Sequence, residues 1–250
     1  MKPPPFQYHA PATIAEACAL LASLEDAKVL AGGQSLVPLL NFRLARPAHL
    51  VDINRIPDLD RIYERDGGIA VRALGRQSDV EDSTLVARTC PLLSTAVRLV
   101  AHRVIRNRGT VCGSLAHADP ASELPAVLLA LGGHVVVRSA RGSRIIPAAD
   151  FFTGVMETKL AHDELLTEAW FPKSTGKFAI AEETRRHGDF ALAGAVRYGD
   201  RLALFGVAAT PVMADRNNPT KGLEPSGDLE ASPEFRLHLV QLLTERVFAA

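Results

Sequence analysis

The chain has 250 residues, 47% of them hydrophobic, and its 28 basic and 28 acidic side chains give a formal net charge of zero. This composition is typical of a globular protein with one large domain or two compact ones, and the balanced charge argues against a nucleic acid or an anionic membrane as a partner. No apolar run is long enough to span a bilayer, so we expect no integral membrane segment.

The first 55 residues predict a small α/β unit. After a helix that begins at a capping box, strands are predicted at 28–31 and 49–53. A second helix is predicted between these strands at 36–44, with Ser35 as its N-cap. This order of elements is a βαβ unit preceded by one helix.

Residues 56–175 predict a second unit with an antiparallel sheet. Alternating apolar and polar residues around glycine-containing turns indicate β-hairpins. The predicted strands are 62–64, 69–73, 134–138, 144–146 and 165–171, and the predicted helices are 92–100 and 124–131.

Residues 176–250 predict a small C-terminal domain of sheet and helix. Strands are predicted at 190–197 and 202–207, followed by a polar loop at 215–232 and a helix at 234–248. Together the three units predict an α+β fold.

The cysteines and histidines predict neither a disulfide framework nor a metal site. Cys18, Cys90 and Cys112 are widely spaced, no Cys-x-x-Cys motif is present, and no His-x-x-x-His occurs. We therefore expect a reduced, cytoplasmic protein without a metal or an iron–sulfur cluster of its own.

Two turns rich in glycine and serine are the most informative motifs. The first, 31–35, follows a predicted strand, and the second, 109–114, follows the basic loop 106–108. Glycine lets the backbone approach a ligand closely, and free N–H groups at a helix start bind phosphate oxygens. A Gly-Gly pair alone is often only a tight turn, but two such turns together predict a site for the pyrophosphate of a dinucleotide.

Motifs for other chemistry are absent. The sequence has no Gly-x-Gly of the Rossmann fingerprint, no Walker A motif and no Gly-x-Ser-x-Gly nucleophile elbow. We therefore predict no catalytic side chain and expect the chemistry to belong to a bound cofactor.

The segment 105–125, IRNRGTVCGSLAHADPASELP, closely resembles the FAD-binding medium subunits of molybdenum hydroxylases, the group of carbon monoxide dehydrogenase and xanthine dehydrogenase. The segments 30–38 (LAGGQSLVP), 49–53 (HLVDI) and 185–191 (RRHGDFA) resemble the same family in the same order. The resemblance extends from residue 1 to about residue 210 and implies a fold with two FAD-binding subdomains followed by a C-terminal domain.

By position, the resemblance also implies which residues contact a non-covalently bound FAD. They are Leu30, Ala31, Gly32, Gly33, Gln34, Ser35 and Leu36 in the first turn, Thr110, Val111, Cys112, Gly113 and Ser114 in the second, and His117, Glu123 and Leu166. Both turns would surround the pyrophosphate with backbone N–H groups. Glu123 has a structural alternative, because a carboxylate in the first turn of a helix is favoured by the helix dipole.

The sequence departs from the family pattern at two places. Cys112 stands where the family usually has a second glycine, so its thiol is expected to tighten the turn near the phosphates. The polar loop 215–232 stands where relatives have a longer helical stretch, so the C-terminal domain looks shortened.

The resemblance implies an electron-transfer subunit. Such a subunit takes electrons from [2Fe–2S] clusters on a small partner subunit and passes them to an external acceptor, while a large subunit carries the molybdenum cofactor; the expected assembly is a dimer of heterotrimers. Two alternatives stay open: a self-sufficient FAD-dependent oxidase, and a flavin-free assembly subunit that has lost its cofactor.

Overall fold

The computed structural model describes residues 1–250 and contains three main sheets in chain order. In the first unit, three parallel strands have the order β1-β3-β2, and α1 packs against β3. The elements are β1 (Gln7–His9), α1 (Ile14–Ser23), β2 (Ala27–Leu30), α2 (Leu36–Asn41) and β3 (His49–Asp52). The predicted α/β unit is therefore present, with β1 as an additional strand.

The second unit has a five-stranded antiparallel sheet of order β4-β5-β10-β6-β7. Its elements are β4 (Ile62–Arg65), β5 (Gly68–Arg72), α3 (Gln77–Asp82), α4 (Thr84–Thr89), α5 (Pro91–Val97), α6 (Arg103–Arg106), α7 (Val111–His117), α8 (Glu123–Leu131), β6 (His134–Ser139), β7 (Gly142–Pro147), α9 (Ala148–Phe151), β8 (Phe152–Gly154), β9 (Glu157–Thr158) and β10 (Leu165–Pro172). Asp66 and Gly67 join β4 to β5 with positive φ angles of 50° and 69°, as a type I′ hairpin turn requires.

The third unit is a four-stranded antiparallel sheet with one long helix. Its elements are β11 (Phe178–Glu183), β12 (Ala193–Tyr198), β13 (Arg201–Phe205), β14 (Val212–Ala214) and α10 (Pro233–Ala249). The region 215–232 contains no helix or strand, as predicted for the polar loop. None of the ten helices combines the length and hydrophobicity needed to cross a membrane.

One core extends from the second unit into the third. All nine residues of α8 are buried, which explains its almost uniformly apolar sequence. The largest cluster of buried side chains includes Leu124 and Val127 of α8 together with Val196, Ala203 and Phe205 of the third sheet. The third sheet therefore packs directly on the helical layer of the second unit.

Local expectations fail in part at three places. Ser35 is the N-cap residue of α2 as predicted, and its carbonyl oxygen accepts from the N–H group of Leu39, but its backbone is α-helical and its side chain makes no capping hydrogen bond. The helix predicted at 36–44 ends at Asn41, because Arg43 adopts a left-handed backbone with φ +59°. The strand predicted at 190–197 begins only at Ala193, and β11 was not predicted.

Candidate functional site

The first turn presents a row of free backbone donors. It joins β2 to α2, and Gly33 has a left-handed backbone with φ +75°. None of the N–H groups of Gly32, Gly33, Gln34 and Ser35 donates to an acceptor in the chain. Consecutive free donors of this kind are suited to an anion with several oxygens, such as a phosphate.

Gly32 brings the first turn into contact with the segment that leads to the second. A Cβ atom at Gly32 would lie 2.3 Å from the carbonyl oxygen of Arg108 and 3.0 Å from the Cα atom of Gly109. Only a residue without a side chain allows this approach. The structure thus brings together the two turns that the sequence singled out.

The second turn is the N-terminus of α7, and most of its donors are already used. The Thr110 hydroxyl caps the helix by accepting from the N–H group of Gly113 at 3.0 Å. The N–H groups of Val111 and Ser114 donate to backbone carbonyl oxygens. Within the predicted segment, only the N–H groups of Thr110 and Cys112 lack an acceptor, so the second turn offers fewer donors than the first.

The Cys112 side chain points away from the turn. It is buried, and its thiol lies 3.4 Å from the carbonyl oxygen of Val71 in β5, where it donates a weak hydrogen bond. Burial raises the pKa of this thiol. The expectation that the thiol tightens the turn near the phosphates is wrong, because α7 directs this position toward the sheet.

A cavity of about 210 Å³ lies beside the first turn. Its lining includes three polar residues that the sequence analysis did not select, Asp52, Asn54 and Arg108. The complete lining is Leu30, Ala31, Gly32, Gly33, Gln34, Val37, Asp52, Asn54 and Arg108. A signal for Asp52 and Asn54 was available, since β2 and β3 are parallel and the residues at and just after their carboxyl ends meet at one sheet edge.

Asp52 is ionised although it is partly buried. Burial opposes its ionisation, but hydrogen bonds from the Tyr8 hydroxyl and from Asn54 outweigh this effect and lower the pKa of the carboxyl. The Arg108 guanidinium, which also lines the cavity, acts in the same direction. The cavity therefore contains one carboxylate, already satisfied by hydrogen bonds, and one cation.

The remaining predicted residues lie farther along the second unit. His117 is in the last turn of α7, about 10 Å from Thr110 along the helix axis, and is half-buried. Glu123 begins α8 and is 9% exposed. Leu166 in β10 is 5% exposed and its side chain belongs to the main core, so this side chain does not line the cavity.

Glu123 has an acidic neighbour that the sequence analysis did not select. Burial raises the pKa of Glu123 to about 8, and repulsion from Glu182 of β11 adds to this shift. Burial also raises the pKa of Glu182 to about 7, and its Oε2 atom is buried without a hydrogen-bond partner. At neutral pH the two carboxyls therefore retain much of their protonation.

The family of this chain follows from a direct comparison. The family described as "FAD binding domain in molybdopterin dehydrogenase" matches residues 4–174, which is more than half of the chain. The chain belongs to this family. The match confirms the resemblance seen in the sequence and identifies FAD as the cofactor of the fold.

Curated relatives extend the similarity over the whole chain. The nicotine 6-hydroxylase medium subunit of Paenarthrobacter nicotinovorans is 38% identical over 274 residues, covering 98% of this chain and 97% of the relative. The carbon monoxide dehydrogenase medium chain of Hydrogenophaga pseudoflava is 35% identical over 282 residues, covering 100% of this chain and 98% of the relative. These relatives are oxidoreductase subunits, and the prediction of an oxidoreductase component is confirmed.

Solved structures agree with the fold. Carbon monoxide dehydrogenase from Hydrogenophaga pseudoflava contains a chain that matches with a TM-score of 0.95 and 34% identity, covering all of this chain and 98% of that one. Quinoline 2-oxidoreductase from Pseudomonas putida 86 matches with a TM-score of 0.93 and 35% identity, covering 100% of this chain and 97% of that one. The predicted α+β fold of FAD-binding medium subunits is therefore confirmed.

Proposed function

We propose that this chain is the FAD-containing electron-transfer subunit of a heteromeric molybdenum hydroxylase. It would take electrons from [2Fe–2S] clusters of a small partner subunit and pass them to an external acceptor, with the molybdenum cofactor on a large subunit. The observation that carries the proposal is the row of four free N–H groups at residues 32–35, present in a chain of the FAD-binding family. Relatives named as medium subunits support its place in a larger complex.

The proposed site begins at the pyrophosphate. Its oxygens would accept from the free N–H groups of the first turn and from those of Thr110 and Cys112, and the Arg108 guanidinium would offset their charge. Bound FAD supplies the redox chemistry, accepting electrons singly and releasing them in pairs. The chain's own groups bind and orient the cofactor.

The rest of the cofactor would extend beyond this cavity. An FAD molecule is longer than a 210 Å³ cavity allows. We place the remaining parts along α7 toward His117 and Glu123, with Leu166 contributing from β10 through its backbone, since its side chain is buried in the core. A half-buried histidine and a partly protonated carboxyl can both donate hydrogen bonds there.

We further propose domain boundaries for the chain, an assembly for the complex and its cellular compartment. The units 1–55 and 56–175 would hold FAD between them, and 176–250 would form a shortened C-terminal domain. The complex would be a cytoplasmic dimer of heterotrimers. Three free, buried cysteines are compatible with a reducing compartment.

The two alternatives have weaker support. The relatives are named as subunits or chains of complexes, which argues against a self-sufficient oxidase. The flavin-free alternative supposes that changes such as Cys112 have removed the cofactor, but the Cys112 side chain lies in the core rather than at the turn.

The proposal is tested on the complex purified through a tag on this chain. We expect co-purified chains that carry molybdenum and iron. After removal of FAD, we expect the complex to lose electron transfer to external acceptors. An oxidisable aldehyde or N-heterocycle should still reduce the iron–sulfur clusters and bleach their absorption. Addition of FAD should restore acceptor reduction. Acceptor reduction that continues at the full rate without FAD, or purification of the chain with no metal-containing partner, would contradict the proposal.

A further inference from the structure

Asn54 connects the first turn to the second unit. Its Nδ2 group donates to the carbonyl oxygen of Ala31 at 2.8 Å and to the carboxylate of Asp52 at 2.6 Å. Its Oδ1 atom accepts from the Arg76 guanidinium at 2.7 Å. One amide side chain thus contacts the backbone of the first turn and a residue that lies between β5 and α3.

The orientation of this amide is determined by its neighbours. The Asp52 carboxylate accepts from both the backbone N–H group and the Nδ2 group of Asn54, at 2.9 and 2.6 Å. The Tyr8 hydroxyl donates to the other oxygen of the same carboxylate at 2.5 Å. Because an ionised carboxylate only accepts hydrogen bonds, the amide must direct Nδ2 toward Asp52 and Oδ1 toward Arg76.

Arg76 completes the connection on the side of the second turn. Its second guanidinium nitrogen donates to the carbonyl oxygen of Arg108 at 2.7 Å. This is the same carbonyl oxygen that a Cβ atom at Gly32 would meet. Burial and the nearby Arg108 charge lower the pKa of Arg76, so the guanidinium is held there at an electrostatic cost.

We propose that Asn54 and Arg76 form a clamp between the carbonyl oxygens of Ala31 and Arg108. The clamp holds the two turns at the spacing needed to bind the pyrophosphate of FAD, so this inference rests on the proposed function of the site. Both residues are positioning residues. Asn54 contacts the backbone of the first turn, Arg76 contacts the backbone of the loop that leads to the second turn, and their side chains contact each other. The clamp acts on affinity for the cofactor because it sets the distance between donors on different elements.

The test compares Asn54→Ala, Arg76→Ala, the double variant and Arg76→Lys with the wild-type chain. FAD dissociation constants are measured by fluorescence titration of flavin-free protein, and unfolding midpoints are measured on the same samples. Arg144→Ala and Arg144→Lys are the matched controls for the two Arg76 variants, because Arg144 on β7 also donates to a side-chain acceptor, the Glu164 carboxylate, and to a backbone carbonyl oxygen, that of Lys159.

Each alanine substitution should weaken FAD binding about tenfold, which corresponds to ~1.4 kcal/mol. The double variant should bind FAD about as tightly as the weaker-binding of the two single variants, because either substitution alone opens the clamp. Arg76→Lys should restore part of the affinity. The unfolding midpoints of flavin-free Arg76→Ala and Arg76→Lys should stay within about 2 °C of those of Arg144→Ala and Arg144→Lys, respectively.

Two results would overturn the clamp, and they differ from failure of the proposed function. Wild-type affinity in both single variants, or losses that multiply in the double variant, would refute the clamp alone. A wild-type chain that takes up no FAD, alone or in its complex, would refute the proposed function and the clamp with it.

Discussion

At the scale of single residues, two adjacent glycines in the first turn are needed for different reasons. Gly32 is needed for space, since a Cβ atom there would collide with the carbonyl oxygen of Arg108. Gly33 is needed for its left-handed backbone, and a Cβ atom there would meet only side-chain methyl groups at 3.2 and 3.4 Å. Substitutions at the two positions therefore perturb different parts of the site.

The backbone requirement at Gly33 can be tested by a pair of variants. Gly33→Val places a β-branched residue at φ +75°, and the resulting backbone strain should lower the free energy of unfolding by about 1–3 kcal/mol. We expect the turn to change its conformation to relieve this strain. That change would misalign the N–H groups of the turn and weaken FAD binding at least tenfold. Gly33→Asn should retain most of the affinity, because asparagine tolerates this conformation.

Gly67→Val is the matched control for the backbone strain. Gly67 has φ +69° in the hairpin between β4 and β5, and a Cβ atom there would meet nothing within 4 Å. This substitution should lower stability by a similar amount and leave FAD affinity unchanged. Equal FAD affinity in Gly33→Val and Gly67→Val, measured by titration, would remove the first turn from the site.

The buried carboxyl of Glu182 should make stability depend on pH. Its pKa is about 7 when folded and 4.5 when unfolded, so the folded state holds the proton more tightly and the free energy of unfolding falls as pH rises from about 4.5 to 7. Glu182→Gln removes this loss. Relative to the wild-type chain, the free energy of unfolding of the variant should be little higher at pH 5 and about 1–3 kcal/mol higher at pH 7.5, measured by urea unfolding of flavin-free protein.

Glu183→Gln serves as the control, because the next residue of a strand points to the opposite face. A stabilisation by Glu182→Gln that is the same at both pH values would show that the pKa of Glu182 is not raised.

At the scale of elements, α7 shows how local sequence misleads. The segment 110–114 looks like a glycine turn, and in the structure it is a capped helix start whose Thr110 hydroxyl and carbonyl oxygen take two of the local N–H groups. Helix α7 has only seven residues, too few for a clear apolar period. By contrast, α8 and the hairpin at Asp66 and Gly67 could be predicted because long apolar runs and Asp-Gly turns are strong local signals.

Substitution of Cys112 distinguishes the role of α7 in packing from a role at the phosphates. If the thiol crowded the turn, Cys112→Gly would strengthen FAD binding. The structure predicts unchanged FAD affinity, together with a loss of about 2 kcal/mol in stability from the missing buried thiol and the glycine in a helix.

Cys112→Ala should lose about half as much stability, since alanine favours the helix. Chemical denaturation and FAD titration measure both quantities on one preparation. Tighter FAD binding by either variant would contradict the placement of this side chain.

At the scale of the whole molecule, the three units share their cores. The cluster around α1 and β3 includes Ala73, Leu74 and Leu165 of the second unit, and the main core extends into the third sheet. The boundaries at 55 and 175 that the sequence suggests therefore separate sheets rather than independent hydrophobic cores. Patterns along the chain reveal sheets, but shared burial between units depends on tertiary packing.

The candidate site also contains residues whose role depends on tertiary packing and is not visible in the sequence pattern. Both turns are identified from their glycines and from the family resemblance. Arg76 escapes sequence analysis, and Asn54 is marked only by its place just after the carboxyl end of β3. Their role comes from hydrogen bonds across 22 and 32 positions of sequence, between Asn54 and Arg76 and between Arg76 and Arg108. No local pattern marks such a contact, because neither residue lies in a motif and each contact exists only in the folded chain.

The most direct test of the account is the FAD content of the purified chain, from its absorption spectrum and from the flavin released by acid precipitation. We predict flavin bands in the visible region and about one acid-released FAD per chain, as a non-covalent pyrophosphate site requires. A colourless protein that remains colourless after incubation with FAD and in its purified complex would contradict the central claim that this chain holds the flavin.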